Sequence, residues 1–403
     1  MDNQRRATDR TRGDYCAHRA GSARTPRRRT APDVSRRVGR HESRRSASLE
    51  SDTPKMTSRR AIKKLPLGMG RRRAIIVGAG QSGLAVAAAL VEGGLTPQHE
   101  FVIIDASSGE TSWANRWHSM VLLSDARHST LVGYPTVGNQ RRHLTANEMS
   151  RYLADTAARI GVKPLWRTRA IGVERRGAEE TTLVLSTSVG DVQTRNVVCA
   201  TGAASRPRRP QWFSGLDVPG MALHSSDYHD PKQLPPGDVL IVGGGNTGVQ
   251  LARELNDSHT VTLSVRTPRR RHALAFFPHS SGRYRHLIEG KRQPEPLYTD
   301  SYQSLRRDGI AISSAVTSAH GPTVSLADGS TLRPTSVIAA TGYLPGDDWL
   351  PDHAHPTGHH PTQTTIPGLT VAGMPRFSRP GSDTIHGIHR DALLIARSIL
   401  DRP

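Results

Sequence analysis

From residue 73 onward, short apolar runs alternate with stretches of helical spacing. Ala74–Val77 is a four-residue apolar run that ends in glycine, Leu84–Leu90 has the composition of a helix, and Phe101–Ile104 is a second apolar run. Runs of this length bounded by glycine read as buried strands. The same order returns at Val239–Val242, Val249–Leu255 and Val261–Val265. Strands alternating with helices predict an α/β fold with parallel sheet. Two such starts, at Gly78 and Gly243, predict two nucleotide-binding units rather than one. The Pro- and Arg-rich stretch from Arg206 to Pro210 reads as a crossing between them.

Each start carries a G-x-G-x-x-G turn. The first is Gly78-Ala79-Gly80-Gln81-Ser82-Gly83, placed between strand and helix. There the first glycine permits the tight turn and the second admits a pyrophosphate close to the backbone. The third lets helix and strand pack, and the helix N-terminus faces the negative charge. Asp105 follows at the end of the next strand, 22 residues past Gly83, where an acid accepts hydrogen bonds from ribose hydroxyls. The second turn is Gly243-Gly244-Gly245-Asn246-Thr247-Gly248, and its following strand ends in Arg266, 18 residues past Gly248. Thr267, Arg269, Arg270 and Arg271 come next. A missing acid removes repulsion against a 2′-phosphate, and arginine offers the charge and fork that phosphate takes. The first turn therefore suits FAD and the second NADPH. A solvated basic loop is the alternative for the arginines.

Composition changes this picture only at the N-terminus. The 403 residues hold 55 Lys and Arg against 35 Asp and Glu, but residues 1–72 alone hold 21 against 7. That leader is rich in Arg, Ser, Thr and Pro and is expected to be disordered. It reads as a nucleic-acid arm, a transit peptide, or a product of an upstream start codon with Met56 or Met69 as the true beginning. The mildly basic body gives no reason to expect nucleic acid as a partner. Cys16 and Cys199 form no C-x-x-C, which counts against dithiol chemistry and fits a reducing, cytoplasmic setting. No apolar stretch reaches the ~18 residues of a membrane span. The His353–His360 segment, interrupted by Pro and Gly, reads as a surface loop with no metal.

Beyond the glycine turns, several short elements fall in a telling order. Trp113-Ala-Asn-Arg116-Trp117 follows the first unit. Val198-Cys199-Ala200-Thr201-Gly202 leads toward the second. Val218-Pro-Gly220-Met-Ala-Leu-His224-Ser-Ser-Asp-Tyr228 precedes the second turn, Ala340-Thr341-Gly342-Tyr343 follows it, and Pro367–Gly373 with the helix near Gly387 closes the chain. With these, residues 73–403 resemble the class B flavoprotein monooxygenases, above all the short flavin-containing monooxygenases that include the plant auxin-forming enzymes. Val218, where Phe is usual, is the clearest departure.

The resemblance implies two Rossmann-like domains, with an NADPH domain at 204–330 inserted into an FAD domain split across 73–203 and 331–403. It implies cofactor contacts from Trp113, Trp117, Thr201, Gly202, Thr341, Gly342 and Gly373, besides the two turns, Asp105 and Arg266. Arg116 and His224 are the implied catalytic residues. The implied reaction takes hydride from NADPH and inserts one atom of O2 into a small organic substrate through a flavin C4a-hydroperoxide. A reductase handing electrons from NADPH through FAD to another acceptor is the first alternative. A nucleic-acid-associated redox sensor is the second.

Overall fold

A computed structural model describes residues 72–175, 182–271, 296–358 and 360–402, so the predicted leader and His359 lie outside the described residues. Its architecture is mixed α/β. The first sheet centres on strand Arg72–Val77, flanked in parallel by Phe101–Ile104 and by Gly190–Cys199. The latter strand is ten residues long and serves two partners on its far side. Its beginning pairs antiparallel with Leu183–Thr187, and its end pairs parallel with Leu369–Val371. The C-terminal ends of four parallel strands thus meet along one edge, the edge where ligands bind in open α/β sheets.

The second sheet is parallel throughout, in the order Ala311–Ser313, Thr260–Ser264, Asp238–Val242, Ser336–Ala339, Ala222–His224. Strand alternation divides both cores. Ala74 and Ile76 point into a cluster with helices Gln81–Glu92, Ala146–Ile160 and Ile388–Leu400, while Ile75 and Val77 point to the opposite face. Val239 and Ile241 likewise face helix Asn246–Leu255, and Leu240 and Val242 face the antiparallel strands that begin at Val316. Parallel strands covered on both faces read as continuous apolar runs, which is why these segments show no polar alternation in the sequence.

The predicted helices are longer than their apolar cores: Leu84–Leu90 lies within Gln81–Glu92, and Val249–Leu255 within Asn246–Leu255. Both begin directly on the glycine turn. The second sheet keeps the chain through Ala339, past the expected boundary at residue 330. Ser336–Ala339 is an inner strand there, bonded to Asp238–Val242 and Ala222–His224. On the way back to the first sheet, Tyr343–Leu344 pairs antiparallel with Arg206–Pro207 in a separate two-stranded ribbon, so the outgoing and returning crossings are tied together.

Trp117 departs from its expected role. It is 3% exposed and sits in the second sheet's core with Tyr228, Val249 and Leu263. It follows the first sheet in sequence yet fills the core of the second. Truncating a buried indole leaves a large cavity, so Trp117→Ala should cost about 3–5 kcal/mol of stability in chemical denaturation. A loss under about 1 kcal/mol would mean that this core collapses around the gap or that the residue is not buried.

Candidate active site

The two glycine turns are built alike. Gly78 has φ +112° and its N–H donates to Ile104 O; Gly243 has φ +125° and its N–H donates to Ser264 O. Neither tolerates a side chain: a Cβ would stand 2.4 Å from Ala200 O at Gly78 and 2.2 Å from Ala340 O at Gly243. Those two alanines open Ala200-Thr201-Gly202 and Ala340-Thr341-Gly342, each at the end of the strand beside the glycine strand. Ala200 N donates to Val77 O, and Ala340 N to Val242 O. The repeated A-T-G of the sequence is thus the floor against which each turn is pressed. Gly83 and Gly248 complete the turns, since a Cβ at either would lie 1.9 Å from the carbonyl of the first glycine.

The helices that follow begin at Gly80 and Gly245 with no side-chain cap and no acid in the first turn. Helix Ala146–Ile160, by contrast, has a full capping box from Thr145 and Glu148. The first amides of a helix have no internal partner, and with the helix dipole they favour an anion by ~0.3–1 kcal/mol at an exposed end. Both turns are therefore left open for a phosphate. A Cβ on Gly80 would meet nothing within 4 Å, so the backbone there is bare toward its cleft.

That cleft measures about 720 Å3, within the range of cofactor sites. It gathers Gly78, Gly80, Gln81, Ser82, Asp105, Trp113, Arg116, Thr201, Gly202 and Gly373 from the residues singled out in the sequence. Asp105 braces the turn, its Oδ2 accepting from Ala79 N at 2.7 Å and its Oδ1 from Ser107 N at 2.8 Å. A carboxylate has further lone pairs for a ligand. The Gln81 side chain is a bridge: it donates to Asp383 O at 2.9 Å and accepts from Trp113 Nε1 at 3.3 Å. Gly373 is required because a Cβ would collide with Ser82 Oγ at 2.1 Å.

His224 and Thr341 do not line this cleft, and the Thr201 hydroxyl is turned to the backbone. His224 is fully buried. Ser226 N donates to its Nδ1 at 3.1 Å, which leaves the proton on Nε2 to donate to Gly342 O at 3.1 Å. Burial pushes its pKa down. His224 therefore fastens the returning crossing to its strand and is not part of the cleft lining. Thr201 Oγ1 is spent on Gly346 O, and Thr341 Oγ1 on Arg208 O at 2.5 Å, so both hydroxyls pin the crossings. Gly220 and Tyr228 share this architectural character. A Cβ at Gly220 would stand 2.4 Å from Ser336 Oγ, and Tyr228 is buried in the second core. Val218 packs on the core beneath the sheet, so its departure from Phe is a matter of packing.

At the second turn, the Asn246 side chain donates to Pro296 O at 3.1 Å and accepts from Tyr298 N at 3.0 Å. Among the described residues, the guanidinium beside Gly245 is that of Arg269. Its Nη1 lies 3.3 Å from where a Gly245 Cβ would stand, and its backbone N donates to Tyr302 OH at 3.3 Å. Tyr302 OH in turn donates to Gly244 O at 2.6 Å. Arg266 is exposed at the strand end. Arg266 and Arg269 belong to the same loop, and it is Arg269 whose guanidinium stands beside Gly245. Reasoning from sequence also missed the wall formed by Trp166 and Thr168–Ile171. That segment is brought in by backbone pairing, with Leu165 N donating to Ile103 O and Thr168 N to Asp105 O, and it carries no motif.

Among the described residues no group of three or more His, Cys, Asp or Glu is placed to hold a metal, and no helix is long and apolar enough to cross a membrane.

Comparison with known proteins gives a consistent picture. The chain is 29% identical over 355 residues to an uncharacterized CzcO-like oxidoreductase of Geobacillus kaustophilus, covering 81% of this chain and 98% of the relative. It is 31% identical over 192 residues to the indole-3-pyruvate monooxygenase YUCCA6 of Arabidopsis thaliana, 45% of this chain and 44% of that one. Its fold is similar to that of a flavin-containing monooxygenase from Stenotrophomonas maltophilia, with TM-score 0.68 and 24% identity over 83% of this chain and 99% of that structure. Residues 75–370 match the model of the pyridine nucleotide-disulphide oxidoreductases. The chain belongs to the pyridine nucleotide-disulphide oxidoreductase family and is an oxidoreductase that works with FAD and NADPH.

Proposed function

We propose that the chain is a monooxygenase that consumes NADPH and places one atom of O2 into a small organic substrate. The observation that carries this reading is a pair of uncapped glycine turns in opposite electrostatic settings, Asp105 at the first and Arg269 at the second. In this reading the two sheets are two Rossmann-like units, the NADPH unit inserted into a split FAD unit. The amides of Gly80, Gln81 and Ser82 with Asp105 hold FAD. The amides of Gly245, Asn246 and Thr247 with Arg269 hold NADPH. Bound FAD supplies the redox chemistry, taking hydride from NADPH and passing the electrons to O2.

The chain's own contribution is positioning and exclusion of water. Trp113 covers part of the cleft wall with apolar surface, and Arg116 lines the cleft with Arg169 and Arg206. Cys199 adds no redox group. It is buried, and burial pushes its thiol up to about 12, far from the thiolate that disulfide exchange requires. With no C-x-x-C in the chain, a dithiol of its own is not the electron carrier. A cytoplasmic setting, where thiols stay reduced, belongs to the same reading. The stretch from Asp105 to Asp125 and the segment after Tyr343 are the regions that would border the substrate.

The experiment is anaerobic reduction by NADPH followed by rapid mixing with O2. A delay before oxidised-flavin absorbance returns, with less hydrogen peroxide than NADPH consumed once substrate is present, is the expected result. Immediate return with stoichiometric peroxide would replace this reading with that of a reductase serving another acceptor. The second turn makes a separate prediction. Arg269→Ala should weaken NADPH binding about tenfold or more, the value of a charge-assisted hydrogen bond, with NADH little changed. Arg266→Ala should do less. Unaltered preference for NADPH in Arg269→Ala, measured by flavin-reduction titrations, would overturn the assignment of the second site.

A further inference from the structure

Between the buried His224 and the cleft lies one side chain, Tyr343. The His224 and Tyr343 rings meet edge to face, with centroids 5.1 Å apart at 85°. The Tyr343 hydroxyl accepts a hydrogen bond from Arg116 Nη1 at 2.7 Å, and the Arg116 guanidinium carbon lies 5.0 Å from the Tyr343 ring centre. Arg116 lines the cleft, and its Nε is buried without a hydrogen-bond partner. A buried guanidinium N–H left unpaired is costly, and a ligand acceptor in the cleft would relieve that cost.

Tyr343 itself has little freedom. The residue before it, Gly342, accepts from His224 Nε2, and its N-terminal neighbour Thr341 is pinned to Arg208 O. The pairing of Tyr343–Leu344 with Arg206–Pro207 fixes the backbone on the other side. The Tyr343 ring is thus held by the returning crossing, and the long, flexible Arg116 side chain is held by the ring.

We propose that Tyr343 is the positioning residue for Arg116, and that through it the returning crossing sets where Arg116 presents its unpaired Nε–H to a hydrogen-bond acceptor of the cofactor or substrate. A hydroxyl acceptor and an aromatic face together hold a guanidinium in one plane, whereas either alone leaves it a rotation. The inference builds on the reading of the cleft as a flavin site only for its kinetic test, and its structural test is independent of that reading.

The structural test is a crystal structure of Tyr343→Phe beside one of the unaltered chain. The substitution keeps the ring, its edge contact with His224 and its face toward Arg116, and removes one oxygen. The expected result is an Arg116 side chain that is ordered in the parent and rotated or without density in the variant. An unchanged, ordered Arg116 would overturn the proposal.

The kinetic test is a double-mutant cycle on anaerobic flavin reduction by NADPH in the holoenzyme. Tyr343→Phe should lower the limiting rate about tenfold, with the Kd for NADPH within about twofold of the parent. Arg116→Ala should lower it at least as much, and the double variant no further than Arg116→Ala alone. Multiplying effects would mean that Tyr343 acts independently of Arg116 and would overturn the proposal. Should Arg116→Ala lose its flavin, Arg116→Lys closes the same cycle with the same two outcomes. A parent chain that NADPH does not reduce would count against the proposed function, while the crystallographic comparison would still decide the role of Tyr343.

Discussion

The contact on which the rest of the structure depends is the pressing of a bare glycine against a backbone carbonyl, made twice. Gly78 lies against Ala200 and Gly243 against Ala340, each too close for a Cβ. This contact aligns the end of a parallel strand with the start of a helix, leaving the helix amides pointing outward and uncapped. It also places a chain crossing directly behind each turn, because the same Ala-Thr-Gly that forms the floor carries the chain away. The two crossings then run side by side and pair. Phosphate-ready helix ends and the linkage between the two sheets are therefore one construction. A side chain at either first glycine would disturb both.

The elements nearest this contact were readable in the sequence, since their signals are local. Strand, glycine spacing and the acid at the next strand end need only a short window, and Gly78, Gly80, Gly83 and Asp105 stand as the pattern requires. The A-T-G segments were legible as motifs, but not the bonds they make: the hydroxyls of Thr201 and Thr341 pin the crossings, while Thr201 also lines the cleft. Trp117 and Trp113 share a motif four residues apart, yet one fills a core and the other lines the cleft. Nothing local distinguishes them, because the choice is made by the second sheet arriving more than a hundred residues later. The wall from Trp166 to Ile171 had no signal, being positioned by backbone bonds to strand Phe101–Ile104.

The Gly220–His224–Tyr228 element acquires a physical meaning from its surroundings. Its glycine fits a crowded approach, its tyrosine fills a core, and its histidine holds the crossing by a buried ring. None of the three lines the cleft. Charge reaches the cleft by another route, through Arg116, which is bonded to the tyrosine beside that histidine. The second turn repeats the lesson, since Arg269 stands over Gly245 where the strand-end Arg266 was expected. In both places packing decides which cation stands beside the site, and sequence position narrows it only to a short loop.

Whether the cleft above Gly80 holds a flavin dinucleotide is decided most directly by the visible spectrum of the purified protein, with the cofactor released and identified. A yellow protein yielding close to one FAD per chain, or taking up FAD and not FMN when added, is the predicted result. A colourless protein that takes up no FAD would contradict the account at its base.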